Sequence, residues 1–382
     1  MAATDGHGPA LEIAEALAPQ IAAAAAAIDS ARKLPTPLAE AMADAGLFRL
    51  LVPKTYDGLE VQFPDYLNAV QRIGHADAST AWCVNQGCVW TALAALLPDE
   101  TSREIWANPR AAIANGTPVD SRAKAVEGGY ELTGHWRFSS GCDHATWMGG
   151  AARIDDGTAE GGAVEMFVFP KEDVEIVEAW DVTGMRGTGS HDFRASRLFV
   201  PEGRHTRSQA TPREPGPIYA IPINLKFAVG FAAVALGVAR AALDFAIDLS
   251  SGKTALYSTK LLRDDPVVQD LMGRAETRWR AADQFLHITV GGAWASVVAA
   301  GETSPEQKVR MRMAGTHTIR EADAVMDLAY NIVGTDGIYR DRDFQRRYQD
   351  MRVITQHMQG RLTHYPRLGQ YVLGLLDGDS VG

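Results

Sequence analysis

Two kinds of hydrophobic patterning follow one another along this chain, and their order is the tightest constraint on its fold. From residue 10 to about 118 apolar residues recur at helical spacing: Leu11, Ala14, Leu17 and Ile21, then Leu38, Met42, Leu47 and Phe48 beyond Pro35 and Pro37. The pattern resumes over Phe63 to Ala76 and Ala81 to Leu97, rich in Ala and Leu and poor in β-branched residues, which favours helix. Near Asn115 the character changes. Between Ala123 and Val200, short runs alternate apolar and polar residues (Tyr130-Glu-Leu-Thr, Trp136-Arg-Phe, Glu165-Met-Phe-Val-Phe, Ser196-Arg-Leu-Phe-Val). Gly-Gly and Asp-Gly pairs separate them, which predicts a small antiparallel β unit, a barrel or a sandwich. Gln209 to Pro217 reads as a linker. From Asn224 onward long apolar stripes return over Leu225 to Leu249, Pro266 to Ala300, Ser304 to Val333 and Asp343 to Met358. Long helices with short connections predict an antiparallel four-helix bundle. The expected fold is therefore mainly α with a central β unit, divided into residues 1–117, 118–217 and 218–382.

The balance of charges narrows the function. A net charge of −10 gives no general attraction for nucleic acid or for an anionic membrane. Cys83, Cys88 and Cys142 have neither the spacing of a zinc knuckle nor a completing His/Cys pair, so no metal site is expected and they read as small buried hydrophobes. A reducing cytoplasm suits them. The alanine run Ala22 to Ala27 is not preceded by the basic residues of a signal peptide, since Arg32 is the first Lys or Arg. Phe227 to Ala239, the longest apolar stretch, is too short to span a bilayer and reads as a core helix.

The segment Gly184-Met-Arg-Gly-Thr-Gly-Ser-His-Asp, followed by Leu198-Phe-Val-Pro, resembles the β-domain stretch of the acyl-CoA dehydrogenase superfamily. Gly334 and Gln345-Arg-Arg-Tyr-Gln-Asp350 resemble the approach to that family's last catalytic helix, so the resemblance covers nearly the whole chain. Within the superfamily, Gly134-His-Trp-Arg-Phe-Ser-Ser-Gly-Cys-Asp-His-Ala-Thr-Trp147 and Ser79-Thr-Ala-Trp82 resemble the two-component flavin-dependent monooxygenase branch. That branch includes steroid-ring phenol hydroxylases, hydroxyphenylacetate hydroxylase oxygenase components, dibenzothiophene monooxygenases and indole-acetate oxygenases.

The resemblance also says where chemistry is expected. A dehydrogenase of this fold places its Glu base where Thr355 stands, or early in the first bundle helix where Lys226 stands; neither is a carboxylate. His357 matches the oxygenase branch's active-site histidine, and is expected to act as base or hydrogen-bond partner to a substrate attacked by a flavin hydroperoxide. His364 is the nearby rival. Ser139 is expected to stabilise that hydroperoxide, with Ser140, Asn115, Thr117 and Trp136 also at the flavin, and Trp82 and His144 toward the substrate. Arg186, in a glycine-rich turn, reads as a structural residue of the β unit or a phosphate ligand, and Arg274 on a bundle helix is a candidate phosphate ligand. Gly184-x-x-Gly187-x-Gly189 lacks the strand-to-helix context of a nicotinamide site, so reduced FMN or FAD is expected to arrive from a separate reductase and to react with O2. By resemblance the enzyme is a homotetramer acting on a small aromatic substrate. The alternatives are an acyl-CoA dehydrogenase or oxidase with FAD and an unplaced carboxylate, and a non-catalytic flavin-fold protein.

Overall fold

A computed structural model describes residues 8–155, 157–158, 162–207, 210–254 and 256–380. The N-terminal part holds five helices: α1 (Pro9–Ala31), α2 (Thr36–Asp44), α3 (Phe63–Ala76), α4 (Ala78–Thr91) and α5 (Asp99–Trp106). α1 buries Ala10, Ala14, Ala18, Ile21, Ala25 and Ile28 along one stripe against α3. The Asp65 carboxylate of α3 accepts from the first amides of α1, Ala10 N at 2.9 Å and Leu11 N at 3.2 Å, a capping contact made across helices. Asp77 closes α3 and caps α4, accepting from Thr80 N at 2.7 Å. α4 is buried on nearly every face, which is why its sequence has no polar stripe.

Seven strands follow: β1 (Ile113–Val126), β2 (Gly129–Ser139), β3 (Trp147–Asp155), β4 (Val164–Pro170), β5 (Glu175–Val177), β6 (His191–Pro201) and β7 (His205–Thr206). β1 begins at Ile113, so the helical stretch stops earlier than residue 118 and the strand runs through the expected 117/118 division. The strand order is β5-β6-β2-β1-β3-β4-β7. The sheet is mixed, which corrects the all-antiparallel expectation: β3 runs parallel to β1, with Ile113 opposite Trp147. After the β1–β2 hairpin, residues 140–146 cross the end of β1 and lay β3 on its free edge. Alternation in sequence shows which face a residue takes but not which strand lies beside it.

The sheet curls strongly. Phe169 of β4 and Phe193 of β6 have three strands (β2, β1 and β3) between them in the order, yet their rings are 6.0 Å apart. The two phenylalanines share a core with Trp136, Leu132, Met148 and Phe167. Among the described residues no hydrogen-bonded ladder joins β5 to β7.

Five helices complete the chain: α6 (Ile223–Gly252), α7 (Pro266–Ala300), α8 (Pro305–Val333), α9 (Asp343–Ile354) and α10 (His364–Val372). α6 packs on α3, α4, α7, α8 and α9. By length and composition α1 and α6 are each apolar enough to cross a membrane, but 78% of the most apolar window of α6 lies inside the bundle. Gln209 lies outside the described residues. The rest of the expected linker is tied down, Arg213 donating to Leu97 O at 2.7 Å and to the Tyr56 hydroxyl at 2.6 Å. α9 ends at Ile354, four residues before the helix expected to reach Met358. His357 has an extended ψ of 148° and caps a tight turn over Met358–Gly360.

A buried contact ties the segment before β6 to α9. Met185 N donates to Asp350 Oδ1 of α9 at 2.5 Å, where burial pushes the Asp350 carboxyl up to about 7. Gly184 lies so close to the Gln349 carbonyl that a Cβ there would overlap the backbone of α9.

Candidate active site

At this junction the chain encloses a cavity of about 300 Å³ between α4, the start of β1, the end of β2, the 180–190 segment and the turn after α9. Its sheet-side wall is polar. Asn115 and Thr117 of β1 line it, and Asn115 Oδ1 accepts from Gln86 Nε2 of α4 at 2.7 Å. β2 ends in a bulge, its pairing with β6 shifting between Trp136 and Ser139, and Phe138 adopts φ 63°. The bulge turns the aromatic ring of Phe138 toward the cavity and Ser139 back into the sheet.

Several expectations change at this wall. Ser139 is fully buried, packs near Trp136 and Phe193, and its Oγ has no hydrogen-bond partner. It is Ser140 that lines the cavity. Trp136 likewise belongs to the sheet core: it stacks on Phe193 with centroids 4.8 Å apart and donates to Ala151 O at 2.8 Å. His144 stacks on Phe48 at 5.1 Å outside the cavity, and desolvation holds its imidazole down near about 4. The bulge breaks the two-residue period from which the direction of Ser139 is read, whereas Trp136 precedes it in register with Phe193 and His144 lies in the turn after β2.

Ser140 sits in a row of hydroxyls. Its Oγ lies 2.7 Å from Ser190 Oγ, and Ser190 Oγ lies 2.6 Å from Thr188 Oγ1. Thr188 Oγ1 donates to Met185 O at 2.8 Å, and Trp82 Nε1 donates to Ser140 Oγ at 3.2 Å. Each hydroxyl has one hydrogen. With Thr188 donating to Met185, Ser190 donates to Thr188 and Ser140 to Ser190.

The opposite wall is aromatic and apolar. Trp82 lines the cavity and stacks on Phe231 of α6 with centroids 3.8 Å apart. His357 meets both rings edge-on, 4.9 Å from Trp82 and 4.6 Å from Phe231. Desolvation, aided by the charge of Arg361, pushes the His357 pKa down to about 4, so the ring is neutral at pH 7. His357 Nδ1 accepts from Gln359 N at 3.4 Å, which leaves Nε2 as the protonated nitrogen, a hydrogen-bond donor. Its depressed pKa makes it a poor base for a phenol, whose ordinary pKa is about 10.

No Asp or Glu is among the described residues that line the cavity. Thr355 is buried and its hydroxyl donates to Arg352 O at 2.7 Å. Lys226 is buried, donates to Ile218 O at 3.1 Å, and burial lowers its pKa to about 7. His364 lies away from the cavity, its Nδ1 2.7 Å from Thr316 Oγ1. Arg186 donates to Val182 O at 3.0 Å, and Arg274 pairs with Asp270 on its own helix at 2.9 Å, so both are held by structural partners. The Gly184–Gly189 stretch is a tight turn entering β6, with no helix behind it. Gln86, Phe138, Trp180, Met185, Thr188, Ser190, Gln356 and Arg361 line the cavity without having been singled out in the sequence. Thr188 and Ser190 stood inside a quoted motif, where their two-residue spacing beside a strand was the available signal.

The residues fit a flavin ring. Hydroxyl and amide groups of Ser140, Thr117 and Asn115 run along one wall, as a flat heterocycle with a polar rim requires, and Trp180, Met185 and Val353 supply apolar cover.

Residues 11–108 match the acyl-CoA dehydrogenase N-terminal domain and residues 229–361 its C-terminal domain. The chain is 32% identical to an indole-3-acetate monooxygenase of Pseudomonas putida, over 86% of this chain and 84% of that protein. It is 27% identical to the oxygenase subunit HsaA, a flavin-dependent monooxygenase of Rhodococcus jostii, over 88% of this chain and 90% of that one. The crystal structure of a 3-HSA hydroxylase from Rhodococcus sp. RHA1 superposes with a TM-score of 0.91 at 25% identity, covering 97% of this chain and 98% of that one.

Proposed function

This chain belongs to the acyl-CoA dehydrogenase family, in its flavin-dependent monooxygenase branch, and from that premise we propose that it hydroxylates a small aromatic or heteroaromatic compound as the oxygenase half of a two-component system. One observation carries the reading. Where a dehydrogenase needs a carboxylate, the cavity offers the neutral imidazole of His357 set edge-on against Trp82 and Phe231.

Reduced flavin, when bound, supplies the electrons that activate O2. Asn115, Thr117 and Ser140 would hold its rim. His357 Nε2–H then holds the substrate oxygen or the oxygen being transferred, and the aromatic wall orients the ring that reacts. Phe138, Trp180, Met185 and Met358 would give the bound rings apolar cover. The dehydrogenase alternative requires a base that the cavity wall does not provide. A separate reductase is inferred because the Gly184–Gly189 turn lacks the form of a nicotinamide site.

We also read the curled sheet as a barrel, α6 to α9 as a four-helix bundle, and the chain as three units. A homotetramer is supported by apolar side chains left in solvent on α7 and beyond α10, with Ile288 70% and Leu373 75% exposed. Three free buried thiols suit the cytoplasm.

The deciding experiment supplies anaerobically reduced FMN or FAD, then ¹⁸O2 and an aromatic substrate. Product carrying one labelled oxygen is expected. Tightly bound FAD that bleaches with an acyl-CoA, and no labelled product, would return the chain to the dehydrogenases.

Two outcomes follow at this site. Ser140→Ala is expected to lower product formed per O2 consumed by about tenfold, the scale of one hydrogen bond to a charged partner, with the balance as hydrogen peroxide. The acid limb of the kcat/KM profile assigned to His357 is expected near pH 4, where its depressed pKa lies, rather than near 6.5; above that limb the ring stays neutral. A limb near 6.5 that disappears in His357→Asn would refute the desolvated ring.

A further inference from the structure

We propose that Arg361 anchors a carboxylate on the substrate, so that this oxygenase selects anionic aromatic compounds over neutral ones. The inference rests on the oxygenase reading and adds a specificity determinant to the same cavity.

Arg361 is the only charged side chain among the described residues lining the cavity, His357 being neutral. The chain carries 47 Asp and Glu, yet no described carboxylate lies within ion-pair distance of this guanidinium. An arginine stays protonated at any pH the protein meets, so its charge awaits a partner from outside. Its neighbours are fixed. Arg320 of α8 donates to Gly360 O from Nε at 2.7 Å and to Thr355 O at 3.0 Å, and Thr316 Oγ1 donates to Gln359 O at 3.0 Å. Arg312 also grips the Gln359 side chain. The turn that presents Arg361 is therefore clamped at its backbone, while the guanidinium is left free.

The position suits a substrate tail. Arg361 lies on the same wall as His357 and close enough for its charge to lower the histidine pKa. An aromatic ring beside Trp82 and His357, with a carboxylate on a short arm, would reach the planar fork, which matches a carboxylate in a two-point contact. The other anion that could enter is a flavin phosphate. The hydroxyl and amide groups that suit the flavin rim belong to β1 and the end of β2, whereas Arg361 projects from the turn after α9, so the substrate carboxylate is the assigned partner.

The central comparison, acid against ester, needs neither flavin nor turnover. Isothermal titration calorimetry gives the dissociation constants of indole-3-acetate and of its neutral methyl ester with the flavin-free protein. The acid is expected to bind at least about tenfold more tightly at low ionic strength, an advantage that salt reduces. Arg361→Gln is expected to erase the difference and Arg361→Lys to keep part of it, with melting curves confirming that both variants fold. Equal binding of acid and ester by the unaltered protein, or a preference that survives Arg361→Gln, overturns the proposal. So does a variant that keeps the acid preference but loses the preference for FMN over riboflavin, which would assign Arg361 to the phosphate. Failure to form hydroxylated product from reduced flavin and O2 strikes at the oxygenase reading instead, and leaves the acid-over-ester measurement standing.

Discussion

His357→Ala should lower the rate of product formation by about 100-fold or more, while reduced flavin bound to the variant still consumes oxygen and ends as oxidised flavin and hydrogen peroxide. The size follows from the role. A single pre-placed donor in a water-poor site is worth about two to three orders of magnitude when removed. His357 is such a donor: its ring is held edge-on by Trp82 and Phe231, its Nδ1 is occupied by the Gln359 amide, and desolvation keeps it neutral. Alanine removes the donor and opens space for water, so oxygen consumption and hydroxylation should separate. His357→Asn keeps an N–H and should recover part of the lost rate. Parallel measurement of O2 uptake, peroxide and product decides it. If His357→Ala hydroxylates at the original rate, the donor role is wrong.

Trp136→Ala should destabilise the protein by about 3–5 kcal/mol, the usual range for emptying a large aromatic site in a core. Trp136 is fully buried, stacks on Phe193, and ties β2 to β3 through its bond to Ala151 O. Gly150 and Gly134 both lie so near its ring that a Cβ on either would collide with it, a sign of how closely the sheet is fitted around the indole. Urea midpoints give the loss, and Trp136→Phe should lose clearly less. Because the indole lies inside the sheet and outside the cavity, the folded fraction of Trp136→Phe should bind reduced flavin with an affinity within about twofold of the original. A large fall in flavin affinity without a fall in stability would return Trp136 to the cofactor site.

Much of this architecture is legible in the amino-acid order. The stripe Leu11, Ala14, Leu17, Ile21 lies on α1, and the long apolar runs after Asn224 are α6, α7 and α8. Those segments are long enough for a 3.6-residue period to be unambiguous. The sheet was less readable. Its alternation marked strands but left the parallel pairing of β1 with β3 open, since that pairing depends on where a short crossing segment lays the chain.

The string around Ser139 and Ser140 brings one of its two hydroxyls, Ser140, to the cavity wall; the bulge at Phe138 decides which, since a one-residue shift in a strand reverses every side chain beyond it. Trp82, Asn115, Thr117 and His357, singled out in the sequence, line the cavity. Arg361 carried no such mark: in sequence it is an arginine after a glycine, and only the folded turn shows that it has no partner.

The row Thr188, Ser190, Ser140 behaves as a single two-position object rather than as three independent hydroxyls. At rest every hydrogen in it points away from the cavity, so Ser140 presents lone pairs. When a guest takes the hydrogen of Ser140, the row stays fully bonded only if all three rotors turn together. Met185 O tolerates the loss, because Trp180 Nε1 and the Thr188 amide still donate to it at 3.0 and 3.2 Å. One side of the chamber can thus change from acceptor to donor without moving a heavy atom, and can meet in turn the oxidised and the reduced rim of the same visiting molecule.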